Sequence, residues 1–149
     1  MTDSPILALL PQLASRSAHT HALGFAFQSV EGDRVRIRAP WREDLVGDPD
    51  TGVIAGGLVT TLLDHVGGLA VWTKMETYQP IATLDLRVDY MRAAHPRKDL
   101  LAEARCFKLT SSIAFVRAWA FEDDPNDPVA AAQAAYALTA ARPAKGAAA

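Results

Sequence analysis

The period of apolar and polar positions switches several times along this chain, and the switches predict its elements. Pro5 to Ala14 read as a short helix that Ser4 can cap, and Pro11 breaks its apolar stretch. Leu23 to Val30 and Arg34 to Trp41 flank the turn sequence Glu31-Gly32-Asp33. In the second of these, Val35, Ile37 and Ala39 alternate with Arg34, Arg36 and Arg38, so the pair reads as a hairpin with one wet face. Glu43 to Thr51, with Gly47 and Pro49, reads as a charged loop. From about Gly56 to Lys74, Leu58, Val59, Leu62, Leu63, Val66, Leu69, Ala70 and Val71 occupy nearly every side of a helix. A helix without a polar stripe is a core helix.

Ile81 to Met91, Leu100 to Leu109 and Ile113 to Phe121 then read as strands. In the first, strict alternation sets Leu84, Leu86, Val88 and Tyr90 on one face and Thr83, Asp85, Arg87 and Asp89 on the other. In the third, Phe115, Trp119 and Phe121 alternate with Val116, Ala118 and Ala120, so both faces are apolar: one to cover the helix, the other to meet another subunit or a ligand. Val129 to Ala141 is ambiguous, because its alanines favour helix by propensity while Tyr136 and Leu138 suit a strand. One buried helix followed by an antiparallel meander able to wrap it is an α+β arrangement. Residues 142–149 read as a flexible tail.

Composition narrows the functions. At 149 residues the chain is one domain, able to bury roughly two thirds of the surface its unfolded form exposes. A net charge of −2 excludes a general nucleic-acid binder, so any anionic ligand must be met by a local patch. The single cysteine, Cys106, excludes an intramolecular disulfide and points to a reducing compartment, the cytoplasm; with no partner histidine it reads as a small core residue. The N-terminus carries Asp3 where a signal peptide wants positive charge, and no run is long enough to span a membrane.

Two segments carry the chemistry. Gly52-Val53-Ile54-Ala55-Gly56-Gly57 runs straight into the helix bearing Asp64, and Ala82-Thr83-Leu84-Asp85 opens a strand. An ionised carboxylate among Leu62, Leu63, Val66 and Leu69 is costly unless it is partnered or faces a cavity. Alone, Asp64 reads more readily as a structural aspartate, the two glycines as a tight turn and Thr83 as an ordinary β-former. Together, from about residue 24 to residue 140, they resemble the hotdog-fold thioesterases of the phenylacetate-degradation type, which cleave acyl-CoA. The resemblance implies a hotdog domain over residues 23–141, with an antiparallel sheet wrapped around one long helix, behind an N-terminal helical extension (residues 1–22). It makes Val129 to Ala141 the last strand. It implies that Asp64 activates water or attacks the thioester itself, that the Gly56 N–H receives the developing oxyanion, and that Thr83 holds the water. Gly57 and Ala55 would line the substrate. No metal or redox cofactor is implied.

The chain departs from that family twice. Ala55 stands where the family pattern is His-Gly-Gly, and Pro49, beside Asp48 and Asp50, stands where many relatives place an Asn or Gln. A non-catalytic acyl-CoA binder is therefore the alternative, whereas a hotdog dehydratase would need a catalytic histidine paired with an acid in its own motif. His65, one residue after the acid and about 100° around the helix, reads as packed or at an interface. His19 and His21 are offered on one side of a strand without a third ligand, too few for a metal site. Arg92, His95 and Arg97, with Lys98, cluster at the turn leaving the Thr83 strand and are candidates for holding coenzyme A phosphates, with Lys108 and Ser111 in the Thr110-Ser111-Ser112 turn as further ones. Gly56 and Asp64 are eight residues apart, about 12 Å of rise and about 80° of rotation on a helix. One chain can hardly bring both to one carbonyl, so a homodimer with two shared sites is expected, its Thr83 strands paired at the centre, and a dimer of dimers beyond it.

Overall fold

The computed structural model describes residues 4–140; the tail read at residues 142–149 lies outside the described residues. In chain order the elements are α1 (Pro5–Ser15), α2 (Ala18–Ala22), β1 (Ala26–Glu31), β2 (Arg34–Ala39), a 3-10 turn (Glu43–Leu45), β3 (Val46–Asp48), β4 (Val53–Ile54), α3 (Gly56–Trp72), β5 (Ile81–Tyr90), β6 (Leu100–Leu109), β7 (Ile113–Phe121) and β8 (Ala130–Leu138). Six strands form one antiparallel sheet in the order β1-β2-β6-β7-β8-β5, and β3 and β4 form a small separate hairpin. The sheet wraps α3, which touches β2, β5, β6, β7 and β8. This is the hotdog arrangement, an α+β fold.

The core explains the alanines of β8. Leu62, Leu63, Val66, Leu69, Ala70 and Val71 of α3 are fully buried, each large one worth about 1.5–3 kcal/mol relative to exposure. Opposite them stand Ala102, Ala104, Ala114, Ala118, Ala120, Ala130, Ala132 and Ala134, all buried. Small side chains let the sheet come close to the helix, and pairing with β5 and β7 on both sides overrides the helical preference of a lone alanine run.

Several expectations are corrected. α1 continues through Pro11 to Ser15, and Ser4 makes no cap bond; its hydroxyl donates to the Met75 carbonyl instead, at 3.3 Å. His19 and His21 lie on the short helix α2, not on a strand. The charged loop contains the 3-10 turn and β3, and leads into β4. The largest correction concerns β5. Its pairing with β8 passes from Thr83↔Tyr136 to Asp85↔Ala135, leaving Leu84 as the extra residue of a bulge, 58% exposed. The bulge shifts the alternation by one, so Thr83 reaches α3 from the same side of the strand as Tyr90 rather than from the opposite one. β5 is also an edge strand of ten residues, with Leu84 and Tyr90 exposed and Met91 exposed just beyond it, an edge open to pairing.

Candidate functional site

Asp64 projects from the middle of α3 into a cleft of about 170 Å³ lined with it by His65, Gly68, Leu69, Trp72, Ile81, Thr83 and Tyr136. The Thr83 hydroxyl donates to Asp64 Oδ1 at 2.8 Å. The Tyr136 hydroxyl donates to the Asp64 carbonyl oxygen at 2.8 Å and lies 3.3 Å from the same Oδ1. Both hydroxyls thus converge on one carboxylate oxygen. Oδ2 has no polar partner among the described residues and is the oxygen left to act on something in the cleft.

Tyr136 is the functional neighbour that sequence reasoning missed. It is buried, and burial first, then the Asp64 charge, pushes its phenol far up, so it stays a donor. It fits because Gly67 lacks a side chain: a Cβ there would stand 2.2 Å from the Tyr136 oxygen. The signal in the sequence was the pair Gly67-Gly68 inside a helix together with one tyrosine in an alanine run.

At the other end of the site, α3 begins at Gly56 after Ala55, which offers no side-chain cap. The Gly56 and Gly57 N–H groups have no acceptor among the described residues, as the first donors of a helix do not. The chain gives no steric reason for these glycines. Neither has a positive φ; a Cβ at Gly56 would meet only Tyr90 at an ordinary 3.7 Å, and one at Gly57 would meet nothing. Packing within the chain therefore does not demand glycine at either position. The helix start is held from both sides: the Ala55 N–H donates to Leu45 at 2.9 Å, and the Tyr90 hydroxyl, itself bonded to the Thr60 hydroxyl, donates to the Gly56 carbonyl at 2.7 Å. Gly47 allows this, since a Cβ there would lie 2.8 Å from the Ala55 Cα.

The remaining residues divide between these two ends. Arg92 pairs with Glu122 at 2.5 Å and with Asp127 at 3.3 Å, the His95 N–H donates to Glu122 at 2.7 Å, and Lys98 pairs with Asp123 at 2.6 Å. Burial alone would raise the Glu122 carboxyl; the Arg92 and His95 hydrogen bonds and the Arg92 charge outweigh it and bring it down to about 2. Most of that basic cluster is therefore already engaged. Arg97, at φ 58, makes no ion pair among the described residues and lies beside Gly52 in the loop leading to Gly56. Lys108 and the Ser111 turn sit at the opposite end of the sheet, where the Leu138 N–H donates to the Ser112 carbonyl and Ile81 pairs with Leu138. Neither Lys108 nor Ser111 is among the residues that line the Asp64 cleft.

His65 is packed: its Nε2 bonds the Ala14 carbonyl at 2.7 Å and its ring lies 6.0 Å from Phe25, while burial lowers its basicity. Cys106 is buried, with its thiol pushed up by that burial. Among the described residues no three His, Cys, Asp or Glu side chains gather as a metal site, and no helix is long and apolar enough to cross a membrane.

Residues 51–129, which include Gly56, Asp64 and Thr83 but not Tyr136, match the thioesterase superfamily, and the chain belongs to that family. A candidate esterase of Halobacterium salinarum is 35% identical over 94 residues, which span 61% of this chain and 61% of that protein. The crystal structure of a Pseudomonas aeruginosa protein is 32% identical with a TM-score of 0.82, covering 91% of this chain and all of that one. A phenylacetic acid degradation-related protein of Ralstonia eutropha, described as a candidate thioesterase, has a TM-score of 0.71 at 21% identity over 85% of this chain and 96% of that one, a likeness of fold.

Proposed function

We propose that this protein hydrolyses acyl-CoA thioesters in the cytoplasm, as a homodimer whose two sites each join Asp64 of one subunit to Gly56 of the other. The observation that carries the reading is the Asp64 carboxylate, one oxygen bonded by the Thr83 hydroxyl with the Tyr136 hydroxyl beside it, and the other turned free into a cleft. Because Thr83 spends its proton on Oδ1, its oxygen can only accept from a water. That water gives one hydrogen to Thr83 and the other to Oδ2, which turns a lone pair toward the thioester carbon.

Attack forms the C–O bond as the proton passes to Oδ2. The carbonyl becomes an oxyanion received by the Gly56 N–H, with Gly57 and the helix dipole behind it. The C–S bond then breaks, the thiolate of coenzyme A leaves, and the proton returns to it. Direct attack by Oδ2 followed by hydrolysis of the anhydride uses the same groups. Ala55 leaves the carbonyl to backbone donors alone. Arg97, with Gly57 and Ala55 before it, faces the coenzyme end on the subunit that supplies Gly56; Arg92 and His95 shape that loop through Glu122. Lys108 and Ser111, at the end of the sheet where Ile81 pairs with Leu138, are offered to the coenzyme's phosphates from outside the cleft. Pairing of two β5 edges would join the sheets of the dimer, and a second dimer can stack on the outer face, where Phe115 and Trp119 stand among Arg105, Arg117 and Glu103; that face is not the apolar one the alternation of β7 led one to expect.

The missing family histidine favours a second reading, an acyl-CoA binder without turnover. Release of free CoA thiol from short-chain, long-chain and aromatic acyl-CoA decides between them. Release linear in time and proportional to protein is expected for at least one thioester. Tight binding with no release from any would replace hydrolysis with the binding reading.

A further inference from the structure

We infer that Tyr90 is a positioning residue of the oxyanion site, one that polarises the peptide between Gly56 and Gly57 and so makes the Gly57 N–H a stronger donor than a bare helix start provides; this rests on the thioesterase reading above. β5 ends at Tyr90, which pairs with the buried Ala130 and reaches α3 from the inner side of the sheet. Its hydroxyl donates to the Gly56 carbonyl at 2.7 Å. Having given its one proton there, it accepts from the Thr60 hydroxyl, its other partner. Thr60 O–H, Tyr90 O–H and the Gly56 carbonyl therefore run head to tail, and that carbonyl shares its peptide plane with the Gly57 N–H.

The helix itself does not call for this bond. Carbonyls of a first turn have intrahelical partners, and those that lack one are at the far end. What the bond adds is polarisation: a hydrogen bond accepted at a carbonyl draws electron density through the amide resonance and strengthens the N–H of the same peptide, and a second donor behind the first strengthens it further. The next peptide supplies the contrast. The Thr61 hydroxyl donates to the Gly57 carbonyl at 2.9 Å, but the N–H of that unit, on Leu58, is already given to the Ala55 carbonyl at 3.0 Å. Of the two hydroxyl bonds, only that of Tyr90 feeds an N–H with no acceptor among the described residues. Because Ala55 brings no polar side chain to the helix start, the strength of the backbone donors decides how well a developing oxyanion is held.

Tyr90→Phe in the full-length protein keeps the ring and removes the hydroxyl. It should lower kcat for the best acyl-CoA about tenfold, short of the roughly 10²–10³ of a lost donor. KM, and the Kd of a non-hydrolysable thioether analogue, should change less than about twofold, because a ground-state ligand draws little on that donor. A trifluoromethyl ketone analogue, which forms a tetrahedral oxyanion in the site, should lose about the same tenfold in affinity as kcat loses. Thr60→Val leaves the tyrosine in place, so it keeps the comparison even where β5 loosens without the hydroxyl; it should cost about threefold in kcat and add nothing to Tyr90→Phe, since Thr60 acts through Tyr90. Thr61→Val is the control, with kcat unchanged. In protein isotope-labelled at its nine glycine nitrogens, the Gly57 amide resonance should shift in Tyr90→Phe, less in Thr60→Val, and in both more than that of Gly56, whose N–H belongs to the preceding peptide. Asp64-dependent turnover that is unchanged in Tyr90→Phe, or equal losses of affinity for ketone and thioether, overturns the inference and leaves the thioesterase reading standing. No CoA release by the wild type from any thioester sinks that reading, and the Gly57 resonance then judges the polarisation alone: a shift supports it, an unmoved resonance overturns it.

Discussion

Asp64→Asn is expected to leave the protein folded and to slow CoA release from its best thioester by about 100-fold or more, the scale of losing a general base. The substitution is nearly isosteric. The amide oxygen can still accept from Thr83 and stay near the Tyr136 hydroxyl, so the two contacts to Oδ1 survive. What disappears is the oxygen with no partner: an amide nitrogen there donates and neither takes a proton from water nor attacks carbon. Steady-state rates on purified protein, with Tm as the control for folding, check this. Near-normal turnover with an unchanged Tm would remove Asp64 from the reaction.

Gly67→Ala is expected to be the more damaging change to the fold. Alanine should gain about 1 kcal/mol of helix preference, but its Cβ would stand 2.2 Å from the Tyr136 oxygen and 3.1 Å from the ring carbon bearing it. That tyrosine cannot swing aside, being buried and tied to the Asp64 carbonyl. Forcing an extra carbon into a packed core costs about 1–3 kcal/mol, so the clash wins. Because Tyr136 moves with Asp64, activity should fall as well. Combining Gly67→Ala with Tyr136→Phe deletes the nearest atom, and the double variant should melt above Gly67→Ala alone, a coupling expected only of residues in contact. A Gly67→Ala protein as stable as the wild type would contradict this packing.

Periodicity alone was enough to read the central helix and the strands that wrap it, because those segments are long and their apolar residues meet a core on the side the pattern requires. It was not enough at β5. Leu84 is the extra residue of a bulge, and one unpaired residue reverses every later face, so the alternation that set Thr83 away from Tyr90 was sound locally and wrong across the bulge. The ambiguous alanines of β8 became legible only through partners distant in sequence. Asp64 announced itself as a carboxylate among leucines, whereas Tyr136, 72 residues later, carried no local sign of reaching it. Charge was the least informative signal. Arg92 and Lys98 looked like a phosphate site because Glu122, Asp123 and Asp127, which engage them, come from a different loop.

The central claim is a site shared between two subunits, with acid and oxyanion donor on different chains. Gly56→Pro tests it beside Asp64→Asn. Proline is tolerated at the first position of a helix and removes its N–H, while its Cβ would make an ordinary 3.7 Å contact with Tyr90; Ala55 before it already has the extended conformation, ψ 137, that a following proline requires. Each variant alone should be nearly inactive. After subunit exchange is verified, mixing them in equal amounts should restore about a quarter of wild-type CoA release, since half the dimers are mixed and each mixed dimer has one intact site. Verified exchange with no recovery of activity would contradict the shared site.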